Sequence, residues 1–287
     1  MNPTHIAGIQ RYTLFSPNHV GNDAAIFSLT AARLQERGYT VNTYTEQEFL
    51  TNGLQGEQGV FTMLRSKAAA GKLKLLEQQG VKAVNSASGI ENCTRERMTS
   101  LLMEHRIPHP DSLICDTDQS DRIADRVPFE ACWVKRADFH AIHREDVTYV
   151  RSRHELTEII AEYALRGIER VVINEHLTGD LVKFYGVAGT DFFYHFYPQA
   201  VHHSKFGLEA VNGAPTGIPF APEQLHRLCT DAAGVLQVQV YGGDCIVSPD
   251  GTLRIIDFND WPSFAPCREE AAQAIAEVIK KTLAEDE

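Results

Sequence analysis

The sequence lacks the features that mark several specialised classes of protein. Its six cysteines are scattered and form no C-x-x-C pair, which favours reduced thiols over a zinc site or a disulfide framework. No apolar run approaches the length of a membrane span. The N-terminus has neither the basic nor the apolar region of a signal peptide. We therefore expect a cytoplasmic protein that has no membrane partner.

Positive charge is scarce as well. Lysine and arginine together number 27 against 38 aspartates and glutamates, which gives a net charge of −11. No run of like charges stands out, so nucleic acid is not an expected partner. The 43% of hydrophobic and 23% of charged residues are ordinary for a globular protein. At 287 residues, the chain should fold as more than one compact lobe.

The first part of the chain, to about residue 88, alternates short apolar runs with helical patterns. Strands are predicted at 6–12, 39–44, 60–64 and 81–84, and helices at 22–38 and 72–79. Such alternation predicts a parallel sheet with helices on its faces. The loop 15–19 and Arg65 each follow a predicted strand, where such sheets bind ligands. Both are equally compatible with an ordinary structural role.

The most informative stretch is 240–264, which is typical of two short strands around a turn at 248–251. If side chains alternate along the second strand, one face carries Leu253, Ile255, Asp257 and Asn259. A two-residue loop would place Asp244 on the same face, whereas a three-residue loop or a bulge would reverse it. Carboxylate and amide oxygens suit Mg²⁺ bound together with a nucleotide's phosphates. The alternative is a set of acids at strand ends that face water.

This stretch resembles the C-terminal end of an ATP-grasp enzyme, in which the residues that match Asp244, Asp257 and Asn259 hold two magnesium ions on ATP. The resemblance covers the chain from about residue 85 onward. It implies an α/β protein with α+β lobes. The expected domains are a parallel α/β pre-ATP-grasp domain, a small ATP-grasp lobe that acts as a lid, and a C-terminal ATP-grasp lobe with the metal site, at 1–88, 89–175 and 176–287.

Further motifs match the family's nucleotide site in chain order. On the helix after Asn85, the family usually has a lysine that binds phosphate. The residue that matches it here is Arg97, and Arg95 is the second candidate. The loop after Lys135 has none of the family's usual glycines, so His140, His143 and Arg144 would supply donors there; the alternative is a surface loop that is basic without a role. The resemblance thus assigns ATP binding to Arg97, Lys135, His140, the hinge residues Asn174, Glu175 and His176, and Lys183.

The acceptor side departs from the family pattern. Amide-forming members usually carry an arginine that stabilises the tetrahedral intermediate, but no arginine lies between Arg170 and Arg227. We expect Lys205 or His203 to take this role, with Lys183 as a further catalytic residue.

The resemblance implies an ADP-forming carboxylate–amine ligase. In such enzymes ATP phosphorylates a substrate carboxylate, and an amine then attacks the acyl phosphate. One alternative is a small-molecule kinase, because inositol-phosphate kinases of this superfamily share the same metal ligands. Another is a nucleotide-binding regulator without activity. The expected partners are ATP, Mg²⁺ as two ions, and a small-molecule or peptide acceptor; a homodimer is left open.

Overall fold

The computed structural model of the chain describes residues 5–138, 144–198 and 211–284. Within these ranges the strands form three four-stranded sheets. No helix in the same ranges is both long and apolar enough to cross a lipid bilayer. Four of the residues expected in the site, His140, His143, His203 and Lys205, lie outside the described residues.

The N-terminal sheet is parallel, as predicted. It has the strand order β2-β1-β3-β4, with strands β1 (His5–Ile9), β2 (Thr40–Tyr44), β3 (Gly59–Thr62) and β4 (Lys82–Val84). The connecting helices are α1 (Val20–Glu36), α2 (Glu46–Asn52) and α3 (Lys67–Gln78). Helix α2 was not predicted. It begins with a capping box, in which Thr45 and Glu48 each bind the other's backbone N–H.

Two short helices lead out of this sheet, α4 (Ala87–Asn92) and α5 (Arg95–Glu104). The apolar face of α5 carries Met98 and Leu102, which belong to the same buried cluster as Leu236 and Phe258 of the C-terminal part. Although we expected α5 in the small lobe, it therefore packs against the C-terminal sheet.

The second sheet is antiparallel, in the order β5-β8-β6-β7. Its strands are β5 (Ser112–Asp116), β6 (Cys132–Arg136), β7 (Val147–Val150) and β8 (Arg170–Glu175), and its helices are α6 (Ser120–Arg126) and α7 (Arg153–Leu165). Leu156, Ile160 and Tyr163 of α7 pack with Val134 and Ile173 in one buried cluster. The strand residues that alternate with Val134 and Ile173 face the opposite side of the sheet.

The third sheet is also antiparallel, in the order β10-β9-β11-β12. It comprises β9 (Asp180–Val187), β10 (Phe193–Phe196), β11 (Val240–Val247) and β12 (Leu253–Asp260), with helices α8 (Pro222–Leu236) and α9 (Arg268–Ala284). Helix α9 shares a buried cluster with α1. The fully buried Asn85 also joins the two parts, because its side chain donates to the Val240 carbonyl and accepts from the Val240 N–H, at 2.8 and 2.7 Å. The C-terminal sheet is thereby fixed to the N-terminal one.

A β-bulge interrupts the hairpin of β11 and β12. Val247 pairs with Leu253 and Cys245 with Ile255, but the next pair is Asp244 with Asp257, so Ile256 is the additional residue. The turn closes through a 2.9 Å hydrogen bond from Ser248 N to the Thr252 carbonyl, which leaves a three-residue loop. That loop alone would set Asp244 opposite Ile256. The bulge restores the shared face of Asp244 and Asp257.

The predicted alternation along β12 is wrong for the same reason. Leu253 and Ile255 are buried in the core with Phe258, whereas Asp257 and Asn259 are half-buried and line a cavity. One additional residue inverts the alternation of side chains along a strand. The face that carries Asp257 and Asn259 therefore does not continue the apolar face.

Gly243 is required where β11 passes the bulged strand. A Cβ at this position would collide with the Asp257 carbonyl oxygen and lie 2.6 Å from the Phe184 ring. We expect Gly243→Ala to lower the free energy of unfolding by about 1–3 kcal/mol or more in urea denaturation. The matched control is Gly71→Ala in α3, where nothing lies within 4 Å and a gain of about 0.5–1 kcal/mol is expected. Equal effects of the two changes would contradict this packing.

Candidate functional site

A cavity of about 290 Å³ is lined by residues of both antiparallel sheets and by residues from the loops and helix α1 of the N-terminal part. The side chains at its wall that carry charge or an amide are Arg11, Asp23, Arg65, Arg95, Lys135, Asn174, Glu175, Lys183, Asn212, Asp244, Asp257 and Asn259. Most of the residues expected in the site are thus brought together from distant parts of the sequence.

The expected metal ligands lie side by side on β11 and β12. Asp244 and Asp257 are directly paired across the strands, an arrangement that places their Cβ atoms about 5 Å apart. The Asn259 amide donates to Asp257 Oδ2 at 3.1 Å. Lys183 Nζ lies 3.0 Å from Asp244 Oδ1, and Arg95 Nη1 lies 3.2 Å from Asp257 Oδ1. Each carboxylate therefore has a cation beside it.

The donor set fits magnesium that is bound together with a second ligand. Two carboxylates and an amide oxygen are hard donors, but among the described residues no three His, Cys, Asp or Glu side chains are grouped to hold a metal. Two carboxylates and one amide leave positions of an octahedral Mg²⁺ for the oxygens of a bound ligand. Phosphate oxygens of a nucleotide have this character, since Mg²⁺ is usually bound by one or two carboxylates plus substrate phosphates.

The structure brings Arg95, and not Arg97, to the cavity. The Arg95 side chain is 4% exposed, and its Nε is buried without a hydrogen-bond partner among the described residues. The Arg97 guanidinium instead binds the Asn92 side-chain oxygen through Nε and Nη2, at 3.1 and 2.9 Å. Residues that are two positions apart on a helix point in directions about 200° apart, so Arg95 and Arg97 lie on opposite faces. Arg95 shares the buried face of Met98 and Leu102, a periodicity that was readable in the sequence.

Lys135 lies at the end of β6 with its side chain buried. Its Nζ donates to the Ile256 carbonyl, the bulge residue, at 3.1 Å. Burial in first place and the positive charge of Arg95 in second lower the pKa of Lys135 to about 7, against the opposing effect of Asp257 and Asp244. Because an ammonium group is costly to bury without an anion, this position favours a negatively charged ligand.

The hinge residues are divided between two roles. Asn174 and Glu175 line the cavity, and the Asn174 amide donates to the Ser112 hydroxyl at 2.8 Å. His176 does not line the cavity. Its Nδ1 accepts from the Trp133 indole N–H at 3.1 Å, and burial lowers its pKa. Trp133, which sequence analysis did not assign to the site, is the member of this pair that lines the cavity.

The N-terminal part contributes the far wall of the cavity. The loop 15–19 and Arg65, whose roles sequence analysis left open, supply Ser16, His19 and Arg65 to the lining. Arg11 was missed. Its guanidinium contacts Asp23 at 3.1 Å and donates to the Trp261 carbonyl at 2.8 Å. The position of Arg11 just after β1 was an available signal, because parallel sheets bind ligands beyond the carboxyl ends of their strands.

No family model matches the sequence, and no curated protein shows significant sequence similarity to it. The fold, however, is shared with solved structures. The D-alanine–D-alanine ligase of Bacillus anthracis aligns with 99% of this chain and 100% of its own, at a TM-score of 0.68 and 13% identity. The RimK domain ATP-grasp protein of Sphaerobacter thermophilus aligns with 95% of this chain and 98% of its own, at 0.69 and 15%. The chain has the ATP-grasp fold.

The ATP-grasp architecture confirms the expected fold class and the resemblance seen in the sequence. The ATP-grasp ligase PsnB, solved with its minimal precursor, aligns with 98% of this chain and 100% of its own, at a TM-score of 0.61 and 16% identity. The TM-scores establish a common fold, and at identities of this size they establish the fold alone. The cavity described above is lined by both antiparallel sheets of that fold, with residues from the loops and helix α1 of the N-terminal part on one wall.

The depressed pKa of Lys135 predicts a pH-dependent stability. The unfolded lysine titrates at 10.5 and the folded one at about 7, so between these values the unfolded chain binds more protons. The free energy of unfolding should therefore rise with pH through this window, by at most about 1.4 kcal/mol per pH unit. Lys135→Met removes this contribution.

Urea denaturation of the ligand-free protein at a series of pH values measures the effect. The difference in unfolding free energy, wild type minus Lys135→Met, should be constant below about pH 6 and grow from about pH 7 to pH 10. Parallel profiles for the two proteins over the whole range would show that Lys135 is not desolvated.

Proposed function

We propose that the protein is an ATP-dependent enzyme, an ADP-forming carboxylate–amine ligase that acts through an acyl phosphate. The observation that carries the proposal is the convergence of Arg95, Lys135 and Lys183 with Asp244 and Asp257 in one cavity. The described neighbours support it: a D-alanine–D-alanine ligase of the same fold has been solved with ATP, and PsnB with Mg and ADP.

Asp244, Asp257 and Asn259 would hold magnesium, as up to two ions. When bound, magnesium neutralises charge on the phosphate oxygens and polarises them. In the ligand-free protein, Lys183 and Arg95 are paired with these two carboxylates. Carboxylates that bind a metal no longer need these cations, so Lys183 and Arg95 become available to the phosphates. Ligand binding would thus replace ion pairs within the protein by contacts with the ligand.

Lys135 would be the second phosphate-binding cation. A phosphate beside the buried Nζ favours its charged form and raises its pKa, because a nearby opposite charge opposes the effect of burial. The adenine would lie beside Asn174 and Glu175, against the indole of Trp133 and the apolar side chains of Leu181 and other residues of the wall. This part of the cavity offers planar and apolar contacts with few charges.

The small antiparallel sheet, within the expected lobe 89–175, would close over the nucleotide and exclude water. Exclusion matters because an acyl phosphate is hydrolysed if water reaches it. His140, His143, Arg144, His203 and Lys205 stay predictions as donors or as the catalytic cation. The same holds for the expected domain boundaries, the cytoplasmic location, the absence of nucleic-acid and membrane partners, the homodimer, and a peptide or small-molecule acceptor.

Trapping with hydroxylamine tests the reaction type. An acyl phosphate is an activated carbonyl that this small nucleophile intercepts, whereas a phosphorylated alcohol is not. The protein is incubated with ATP, Mg²⁺, hydroxylamine and a panel of amino acids, dicarboxylates and short peptides. We expect a hydroxamate whose formation requires ATP and an acid from the panel. Asp257→Asn should abolish it, because a proposed metal ligand is lost.

The other outcomes identify the alternatives. ADP release with a phosphorylated product and no hydroxamate would replace the ligase proposal by a small-molecule kinase. ATP binding without ADP release for any acceptor would instead favour a nucleotide-binding regulator. Arg97→Gln serves as the matched control for the substitutions, because Arg97 does not line the cavity and its loss should leave hydroxamate formation unchanged.

A further inference from the structure

The small antiparallel sheet carries a cluster of three aromatic rings next to the cavity. Trp133 of β6 pairs with Tyr149 of β7 across the strands, and their ring centroids lie 5.0 Å apart. The His176 ring follows β8, with its centroid 4.9 Å from that of Tyr149 and 6.1 Å from that of Trp133. Trp133 lines the cavity, whereas neither Tyr149 nor His176 belongs to its lining. These two rings therefore pack behind the indole.

A hydrogen bond joins the polar edges of two of the rings. Trp133 Nε1 donates to His176 Nδ1 at 3.1 Å. An indole nitrogen can only donate, so Nδ1 must be unprotonated, and the proton of the neutral imidazole lies on Nε2. A protonated imidazole carries a hydrogen on both nitrogens and cannot accept this bond. The orientation of the Trp133 indole thus depends on a neutral His176.

Burial favours the neutral form of His176. Its backbone N–H donates to the Ala131 carbonyl at 3.1 Å, just ahead of β6. Burial lowers the pKa of the imidazole, and among the described residues no charged group adds to this shift or opposes it. His176 therefore binds a proton only at a lower pH than an exposed histidine does. The ionisable side chains on the segments that pack against His176 are Glu130, Lys135, Tyr149, Arg151 and Glu175.

Trp133 lies where the base of a nucleotide would meet the protein. It is two residues before Lys135 on β6, so both side chains face the cavity, about 6–7 Å apart along the strand. Lys135 is the buried cation proposed for the phosphates, and the cavity residues Asn174 and Glu175 lie on the neighbouring strand β8. An aromatic side chain can stack on any nucleobase, because every base has a π-face. Stacking uses the flat side of the indole, so the direction of the ring decides whether this contact forms.

We propose that His176 is a positioning residue for the nucleotide: its neutral Nδ1 holds the indole of Trp133 with its face toward the cavity, where the base stacks on it. His176 acts through Trp133 and does not itself contact the ligand. Protonation of His176 breaks the bond between the two rings, and the affinity for the base falls. This inference rests on the proposed function only in that a nucleotide binds in the cavity. It does not depend on the reaction that follows.

The indole N–H resonances of the ¹⁵N-labelled, ligand-free protein test the bond between the rings. The chain has two tryptophans, and the fully buried Trp261 serves as the internal control. Trp133→Phe or His176→Leu identifies the Trp133 resonance, so one variant suffices if the other fails to fold. We expect this resonance to move between about pH 8 and pH 5, with a midpoint below the ordinary histidine value of about 6.5, while that of Trp261 stays in place. In His176→Asn, whose side-chain oxygen accepts without titrating, it should not move.

Adenosine measures the contact with the base alone, because it has no phosphate for Lys135 or magnesium to bind. By calorimetry, wild type should bind adenosine about three- to tenfold more weakly at about pH 5 than at about pH 8, the loss of one hydrogen bond. His176→Asn should keep the high-pH affinity at both pH values, His176→Leu should be weak at both, and Trp133→Leu should lose about fivefold or more. The matched control His154→Asn, at a position of α7 that is 85% exposed, should follow wild type.

The inference and the proposed function fail in different ways. An identical pH dependence in wild type and His176→Asn, or full adenosine affinity in His176→Leu, would overturn the role of His176. If ATP binds with Mg²⁺ but adenosine leaves the Trp133 resonance unmoved, nucleotide binding stands and the role of both rings falls. If neither ATP nor adenosine binds, the nucleotide site falls and this inference with it. A missing hydroxamate alone removes the ligase reaction and leaves the inference standing.

Discussion

The β-bulge at Ile256 determines that Asp244, Asp257 and Lys135 face the same cavity. It sets Asp244 directly opposite Asp257, and the carbonyl of the bulge residue accepts the Lys135 ammonium at 3.1 Å. In a regular ladder after the same three-residue loop, Asp244 would pair with Ile256, and Asp257 would face the opposite side of the sheet. One irregularity in one strand therefore brings two carboxylates and a buried cation to a single cavity.

In the absence of ligand, the cavity is stabilised by its own ion pairs. Lys183 is paired with Asp244 and Arg95 with Asp257, so that each half-buried carboxylate has a compensating charge. The same pairing keeps both cations within reach of a ligand that would replace the carboxylates as their partner. Lys135 has no such pair among the residues that the structure describes, and burial lowers its pKa. A bound anion would therefore stabilise the charged form of Lys135, so that ligand binding would also stabilise the fold.

Much of this arrangement could be predicted from the sequence, although the loop length from which the shared face of Asp244 and Asp257 was predicted differs from the observed one. The parallel sheet followed from strand–helix alternation, and the shared face of Asp244 and Asp257 was anticipated for a two-residue loop. The structure reaches that face through a longer loop and a compensating bulge. Bulges depend on tertiary packing, here on Gly243 against the bulged strand, and a single sequence does not reveal them.

Two other differences have distinct physical causes. Helical periodicity places Arg95 on the buried face of α5 with Met98. The sequence therefore contains a signal that favours Arg95 over Arg97 at the cavity. The contact of Arg11 with the Trp261 carbonyl, by contrast, joins residues 250 positions apart. Such contacts arise when separate lobes pack together, and local patterns do not encode them.

The affinity for ATP in two arginine variants tests most directly whether this cavity is the nucleotide site. Arg95 and Arg97 lie two residues apart on one helix, but only Arg95 lines the cavity. By calorimetry in the presence of Mg²⁺, Arg95→Gln should weaken ATP binding by about 1.5–3 kcal/mol, the loss of a charged hydrogen bond, while Arg97→Gln should leave it within about twofold. Thermal melts confirm that both variants fold. Unchanged ATP affinity in folded Arg95→Gln, or a larger loss in Arg97→Gln, would contradict the account.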